Sequence, residues 1–270
     1  MARLNPRWRD RPRRGIPLRA VPPNAVTALA LCFGLSGIRF AIADQWELAV
    51  VTIIAAGVLD GLDGRIARLI KGESRFGAEL DSLSDVIAFG VSPAVVIYLW
   101  SLRFMPQFGW TIALAHAVCC ALRLARFNAQ IDATEQPRKA AGYFTGIPAP
   151  AGAAGLFLPL YLWLATGLDI FRSTYVVAPW TALIALLMVS SFATYSWSSL
   201  RLRRDMRFGA LVVIALLGTA LVNAPWPTLS LIVAGYLLLI PFSVRGYAKV
   251  KRRRATEAAA SPPPPVEPRS

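Results

Sequence analysis

Residues 58–85 read VLDGLDGRIARLIKGESRFGAELDSLSD and join the end of one apolar run to the start of the next. Asp60 and Asp63 are three positions apart and therefore share one face of a helix. Asp81 and Asp85 are four positions apart and share a face in the same way. The midpoint between the two pairs falls in the middle of the connecting turn. If the two runs form an antiparallel helical hairpin, all four carboxylates therefore lie at one depth.

The rest of the chain is strongly apolar. Of its 270 residues 56% are hydrophobic, and the mean hydropathy is +0.50, which excludes a disordered chain and an ordinary soluble globule. Charged and Pro/Gly-rich breaks delimit eight apolar stretches, each about as long as a membrane-spanning helix. They are residues 24–43, 46–70, 78–101, 107–127, 147–167, 174–197, 208–223 and 226–244. The pattern predicts an all-α, polytopic membrane bundle of about eight transmembrane helices.

The basic residues predict how this bundle is oriented. Of 29 Lys and Arg, 26 lie in the N-terminal segment, in alternate loops or in the C-terminal tail. Only Arg39, Arg103 and Arg172 lie on the opposite side. The positive-inside rule then places both termini in the cytoplasm. We accordingly delimit a basic N-terminal segment (1–23), a transmembrane catalytic domain (24–244) and a basic, then Pro-rich, disordered tail (245–270).

Four carboxylates at one depth of a membrane are costly and repel one another. Two divalent cations would balance their charge, and ligands that are all oxygen favour Mg²⁺ or Mn²⁺. His116 and the three cysteines lack the spacing of metal ligands and are interpreted as packing residues. The alternative to a metal site is a structural ion-pair network with the neighbouring arginines Arg65, Arg68 and Arg75.

Eight positions within this region match a known motif without a gap. They are Asp60, Asp63, Gly64, Ala67, Arg68, Gly77, Asp81 and Asp85. This motif resembles that of the CDP-alcohol phosphatidyltransferase family. Residues 16–27 resemble the family's entry to its first span. Segments 120–128 and 144–150 resemble its phosphatidylserine synthase branch.

The resemblance implies a reaction and roles for the aspartates. The phosphatidyl group of CDP-diacylglycerol would pass to the hydroxyl of L-serine, with release of CMP, by in-line displacement at two metal ions. Asp60 and Asp81 would bridge both ions. Asp63 would complete the coordination of the first ion and Asp85 that of the second. Asp85 would also act as the general base. Family members are commonly homodimers, so the resemblance implies a homodimer here as well.

The resemblance also implies a binding site for CDP-diacylglycerol. The positions that match it are Gly64, Ala67, Arg68, Ser74 and Gly77, together with Asn24 and Thr27 near the nucleotide. A second interpretation of Asn24 is that it caps the first span after two prolines.

The acceptor site is a separate prediction. The serine carboxylate needs a fixed cation, and Arg123 and Arg126 are three positions apart on one helix face, with Asn128 just beyond. The alternative for these arginines is positive-inside anchoring at a helix end. An acceptor that carries phosphate, such as glycerol 3-phosphate or an inositol phosphate, stays open because Arg138-Lys139 could bind it.

Two other function classes fit the sequence poorly. A transporter would be expected to show internal repeats and acids near the midplane, and we find neither. Nucleic-acid binding is not expected because the basic residues are divided among five segments and do not form one groove. Their predicted partners are anionic membrane lipids. Arg outnumbers Lys 25 to 4, as in chains from GC-rich genomes, and favours a bacterial inner membrane with the active site on its cytoplasmic side.

Overall fold

The computed structural model describes residues 18–131, 143–190, 193–195 and 206–241. Most of the basic N-terminal segment, the Arg138-Lys139 loop and the tail 245–270 lie outside the described residues. Within the described part the chain is almost entirely helical, with one pair of three-residue strands. The chain divides into two compact units, Met1–Ala88 and Phe89–Ser270.

The first unit is built from three helices. A 3₁₀ turn (Leu18–Ala20) leads into α1 (Val21–Ile42), which is followed by α2 (Trp46–Leu69) and α3 (Arg75–Asp85). Helix α1 packs extensively against α2 and also contacts α3. The aspartates of the sequence motif therefore stand on α2 and α3, and α1 lies beside both helices.

Residues with a left-handed backbone end the first two helices. Asp44 has φ = 55° after α1, and Lys71 has φ = 51° after α2. After α2, the amide of Lys71 donates to the Arg68 carbonyl at 3.3 Å and that of Gly72 to the Ala67 carbonyl at 2.9 Å. This is the bonding pattern of a Schellman cap. It ends α2 abruptly and lets α3 begin after a short turn.

Small residues allow α1 and α2 to approach closely. A Cβ atom on Gly37 would lie 2.8 Å from Ile53 Cγ1 and 3.1 Å from the Ala49 carbonyl oxygen. A Cβ atom on Gly34 would lie 3.0 Å from Ala88 Cα, in the π-helical segment Val86–Val91 that follows α3. Both glycines are buried, and close helix contacts of this kind are typical of membrane proteins.

The second unit contains the remaining helices. They are α4 (Ser92–Trp100), α5 (Gly109–Ile131), α6 (Ala149–Leu156), α7 (Leu158–Thr166), α8 (Thr174–Val189), α9 (Met206–Asn223) and α10 (Pro225–Pro241). Two 3₁₀ turns, Leu102–Phe104 and Asp169–Arg172, lie between helices. Strand β1 (Tyr143–Thr145) pairs antiparallel with β2 (Ala193–Tyr195), and Phe144 lies opposite Thr194. The sequence did not predict this strand pair.

A proline explains the break between α6 and α7, whose axes differ by 41°. Pro159 has no N–H group to donate to the carbonyl of Gly155, four residues earlier. That carbonyl instead accepts a hydrogen bond from Trp180 Nε1 of α8 at 2.8 Å. The bend is therefore fixed by a side chain that replaces the missing backbone donor.

Each of the eight apolar stretches corresponds to helix, but fewer have the properties of a complete span. Within the described residues, three helices are long and apolar enough to cross a membrane: Leu18–Ile42, Arg75–Trp100 and Gly109–Ala129. The bent α6–α7 pair would make a fourth. The predicted stretch 174–197 is wrong at its end, because α8 stops at Val189 and residues 193–195 form β2. The described chain supports an integral membrane protein, while the number of eight spans stays a prediction.

The Gly37 contact predicts a stability effect. Gly37→Leu should lower the free energy of unfolding by about 1–3 kcal/mol, because the side chain has no room between α1 and α2. Thermal unfolding in detergent would measure it. Gly218→Leu is the matched control, because nothing lies within 4 Å of a Cβ atom at that position of α9. Equal melting temperatures for the two variants would contradict the close α1–α2 contact.

Candidate active site

The aspartates of α2 and α3 come together in the first unit. One carboxylate oxygen each from Asp60, Asp63 and Asp81 lies within 4.8 Å of the other two. The Asp85 carboxyl group lies within hydrogen-bonding reach of Asp60. The structure thus gathers three of the predicted acids, with Asp85 beside Asp60, between the second half of α2 and the C-terminal half of α3.

The surroundings of the cluster leave its negative charge uncompensated. Asp63 is buried, and Asp60, Asp81 and Asp85 are half-buried, so water screens them only in part. Close carboxylates in such a setting repel one another strongly. A contact between the Asp60 and Asp85 carboxyl groups requires a proton or a cation between their oxygens.

The expected alternative, an ion-pair network, is not found within the described first unit. None of the four aspartates there forms an ion pair with Arg65, Arg68 or Arg75. Arg68 is exposed, and its Nε donates to the Gly64 carbonyl at 3.0 Å. The neighbouring arginines therefore do not neutralise the cluster.

The cluster fits divalent cations. All of its donors are carboxylate oxygens, which suit Mg²⁺ or Mn²⁺. Asp85 Oδ1 is buried and has no hydrogen-bond partner among the described residues. A buried acceptor without a donor is unfavourable unless something else satisfies it, and a cation would do so.

Thr27 of α1 reaches into the cluster. Its Oγ1 donates to Asp63 Oδ2 at 2.6 Å and lies 3.1 Å from its own helix carbonyl at Pro23. The carbonyl of Thr27 accepts from Ser84 Oγ of α3 at 3.4 Å. Thr27 and Ser84 are both about 4% exposed. The sequence predicted Thr27 near the nucleotide, whereas the structure places its hydroxyl on Asp63.

Ser74, Gly77 and Asn24 form a second contact between α1 and α3. Ser74 is the N-cap of α3, and its Oγ accepts from the Gly77 amide at 3.0 Å. A Cβ atom on Gly77 would lie 2.6 Å from Asn24 Oδ1, so this position has no room for a larger residue. The interpretation of Asn24 as a helix cap is wrong. Helix α1 begins at Val21, and Asn24 lies inside its first turns.

Gly64 of α2 is not explained by packing. Gly64 is exposed, and nothing lies within 4 Å of a Cβ atom built on it. Glycine within a helix costs up to about 1 kcal/mol relative to alanine. Ala67 is half-buried and Arg68 is exposed one turn further along. The open surface at Gly64 is compatible with close approach of a ligand to the backbone.

The predicted acceptor residues belong to the second unit, on α5. Arg126 is exposed, and its Nη1 donates at 3.0 Å to the carbonyl of Val189, the last residue of α8. Arg123 is half-buried and interacts electrostatically with Tyr236 of α10. Asn128 is exposed. Arg126 thus has a structural contact at a helix C-terminus, which the sequence did not reveal.

His116 has the packing environment expected from the sequence. It is fully buried on α5, and its Nε2 lies 3.4 Å from the Phe89 carbonyl. Cys120 packs against Gly90, where a Cβ atom would lie 3.1 Å from the cysteine Cβ.

A family model described as CDP-alcohol phosphatidyltransferase matches residues 20–190. The chain belongs to this family. The match includes all of α1, α2 and α3 and hence the whole carboxylate cluster. A further model, CDP-alcohol phosphatidyltransferase 2, matches residues 205–241, which include α9 and α10.

Curated relatives carry a more specific name. A CDP-diacylglycerol–serine O-phosphatidyltransferase of Mycobacterium bovis is 38% identical over 96% of this chain and 94% of its own length. One from Mycobacterium leprae is 39% identical over 87% of this chain and 78% of its own length. One from Helicobacter pylori is 39% identical over 52% of this chain and 57% of its own length.

We expect metal binding to depend on Asp81. Among the described residues the Asp81 side chain makes no hydrogen bond, so its substitution should not disturb the fold. Asp81→Asn should weaken Mn²⁺ binding by about 100-fold or more, since loss of even an outer-shell partner costs 10–100-fold. Electron paramagnetic resonance of free Mn²⁺ would measure it in detergent solution. Glu79→Gln removes an exposed carboxylate from the same helix and should leave the affinity unchanged. Equal affinities for both variants would argue against the site.

Proposed function

We propose that this protein transfers the phosphatidyl group of CDP-diacylglycerol to the hydroxyl of L-serine, forming phosphatidylserine and CMP. The observation that carries the proposal is the cluster of Asp60, Asp63 and Asp81, with Asp85 beside Asp60, on a chain of this family. The serine specificity is supported by relatives named for that reaction, which match nearly the whole chain.

The metal ligands follow from the cluster and the motif. Asp60 and Asp81 would hold two divalent cations, Mg²⁺ or Mn²⁺, with Asp63 completing one and Asp85 the other. When bound, these ions offset charge on the pyrophosphate and on the departing CMP. Gly64 leaves room for the diphosphate beside the backbone of α2, and Arg68 offers a planar guanidinium for phosphate.

Asp85 is the group that we assign to proton transfer. Its Oδ1 accepts the proton of the serine hydroxyl, and the hydroxyl oxygen attacks the phosphorus that carries diacylglycerol. The bond from that phosphorus to the bridging oxygen breaks on the opposite side, and CMP leaves. A carboxylate has about four lone-pair sites on its two oxygens, so Asp85 can accept this proton at one site and hold a cation at another.

The acceptor site is assigned to two arginines of α5 and a neighbouring asparagine. We assign the serine carboxylate to Arg123 and Arg126, with Asn128 nearby, because fixed guanidinium groups suit a carboxylate. The contact of Arg126 with Val189 would hold that side chain in place. Glycerol 3-phosphate or an inositol phosphate is the competing acceptor.

The membrane setting is proposed on the charge pattern. Eight spans, cytoplasmic termini and a bacterial inner membrane follow from the positive-inside rule and the composition. The domain limits 1–23, 24–244 and 245–270 rest on the same pattern. The 26 basic residues of one side would attract anionic lipid, including the donor, to the cytoplasmic face. A homodimer is proposed from family membership.

The reaction is tested with purified protein, CDP-diacylglycerol and either Mg²⁺ or Mn²⁺. Labelled serine should enter phosphatidylserine with equal release of CMP, whereas glycerol 3-phosphate and an inositol phosphate should give no product. Asp85→Asn should lower kcat by roughly 10²–10⁴-fold, the usual contribution of a general base. Glu79→Gln should retain activity.

Two outcomes would contradict the proposed reaction. Incorporation of glycerol 3-phosphate in place of serine would remove the serine assignment. Full activity of Asp85→Asn would remove the base.

The open surface at Gly64 predicts a split between stability and activity. Gly64→Ala should keep or raise the melting temperature, because alanine favours a helix by up to about 1 kcal/mol. Activity should fall on the order of 100-fold, mainly through kcat, because the added methyl group would misplace the bound CDP-diacylglycerol and a misplaced substrate reacts slowly. Gly218→Ala, equally open on α9, should change stability alone. An active Gly64→Ala protein would show that this surface is not a binding site.

A further inference from the structure

Thr27 is the described residue of α1 that joins both carboxylate-bearing helices by hydrogen bonds. Its hydroxyl donates to Asp63 of α2 at 2.6 Å, and its carbonyl accepts from Ser84 of α3 at 3.4 Å. Ser84 immediately precedes Asp85. Thr27 therefore contacts Asp63 of α2 and the residue that precedes Asp85 of α3.

The hydroxyl has a single proton, and geometry assigns it to Asp63. The Pro23 carbonyl is 3.1 Å away, whereas Asp63 Oδ2 is 2.6 Å away and charged, and charge-assisted hydrogen bonds are shorter and stronger. Thr27 is almost completely buried, and its β-branched side chain has few rotamers in a helix. The donor is therefore held in place before any ligand binds.

The bond to Oδ2 restricts rotation of the Asp63 carboxylate. Asp63 is one of the three acids whose oxygens gather within 4.8 Å. Outer-shell donors of this kind orient metal-binding carboxylates, and their loss typically costs 10–100-fold in affinity or activity. Donation of this proton to a nucleotide acceptor would require the hydroxyl to turn away from Asp63.

We infer that Thr27 is a positioning residue for the divalent-cation site, which acts through Asp63 and does not donate its proton to the nucleotide. The inference rests on the proposed metal site, and its test needs neither an acceptor nor CDP-diacylglycerol. It can therefore fail while phosphatidyl transfer to serine stands, and it can hold if another alcohol is the acceptor.

The test is Mn²⁺ affinity, measured by electron paramagnetic resonance on the full chain in detergent without nucleotide. Thr27→Val keeps the shape but removes the hydroxyl, and it should weaken binding about 10–100-fold. Thr27→Ser restores the hydroxyl and should recover most of the affinity. Thr52→Val is the matched control, because the Thr52 hydroxyl bonds, among the residues that the structure describes, to carbonyls of its own helix at Leu48 and Ala49.

A double-mutant cycle identifies the route of the effect. In an Asp63→Asn background, Thr27→Val should have little further effect, because the carboxylate that it orients is gone. Unchanged Mn²⁺ affinity in Thr27→Val, with a raised KM for CDP-diacylglycerol, would overturn the inference in favour of a nucleotide contact. Equal losses in Thr27→Ser and Thr27→Val would also overturn it, since packing of the methyl group would then be responsible.

Discussion

The close approach of four carboxylates on two facing helices is the constraint on which the functional unit depends. Charges of one sign at this distance, partly removed from water, oppose bringing the acidic segments of α2 and α3 together, and both helices are held by contacts with α1. Nearby arginines do not offset the cost within the described residues, because Arg68 bonds to the backbone of α2. The fold accepts this cost at a place where cations can be bound. A local arrangement that lowers the stability of the fold is typical of a functional site.

The first unit is arranged to hold that cluster. Schellman bonding at Lys71 ends α2 abruptly, so α3 begins after a short turn and presents its acids near those of α2. Gly37 lets α1 lie close to α2, and Thr27 of α1 reaches Asp63 of α2. Ser74 begins α3, and the absence of a side chain at Gly77 leaves space for Asn24. Local backbone geometry and close helix packing therefore both position the side chains of the carboxylate cluster.

Much of this could be predicted from residue spacing. The intervals between the aspartates indicate shared helix faces, and the apolar stretches coincide with helix along most of the described chain. The sequence predictions were wrong where contacts between residues far apart in the chain determine the ends of helices. Helix α8 ends at Val189, because the following chain pairs with β1 instead of continuing the apolar run. Asn24 resembles a cap locally, but the 3₁₀ turn at Leu18–Ala20 moves the start of α1 ahead of it. The periodicity of apolar residues carries no information on this strand pairing or on where α1 begins.

Composition and the spacing of side chains along a helix are local properties, and they were enough to indicate the membrane class, the family and the four acids. Tertiary structure alone decided which groups surround those acids. The hydroxyl of Thr27 lies 36 positions from Asp63 in the chain, and Ser84 lies 57 positions from Thr27. Arg126 reaches a helix end 63 positions away. Such partners depend on how helices pack, which no spacing rule within one helix can specify.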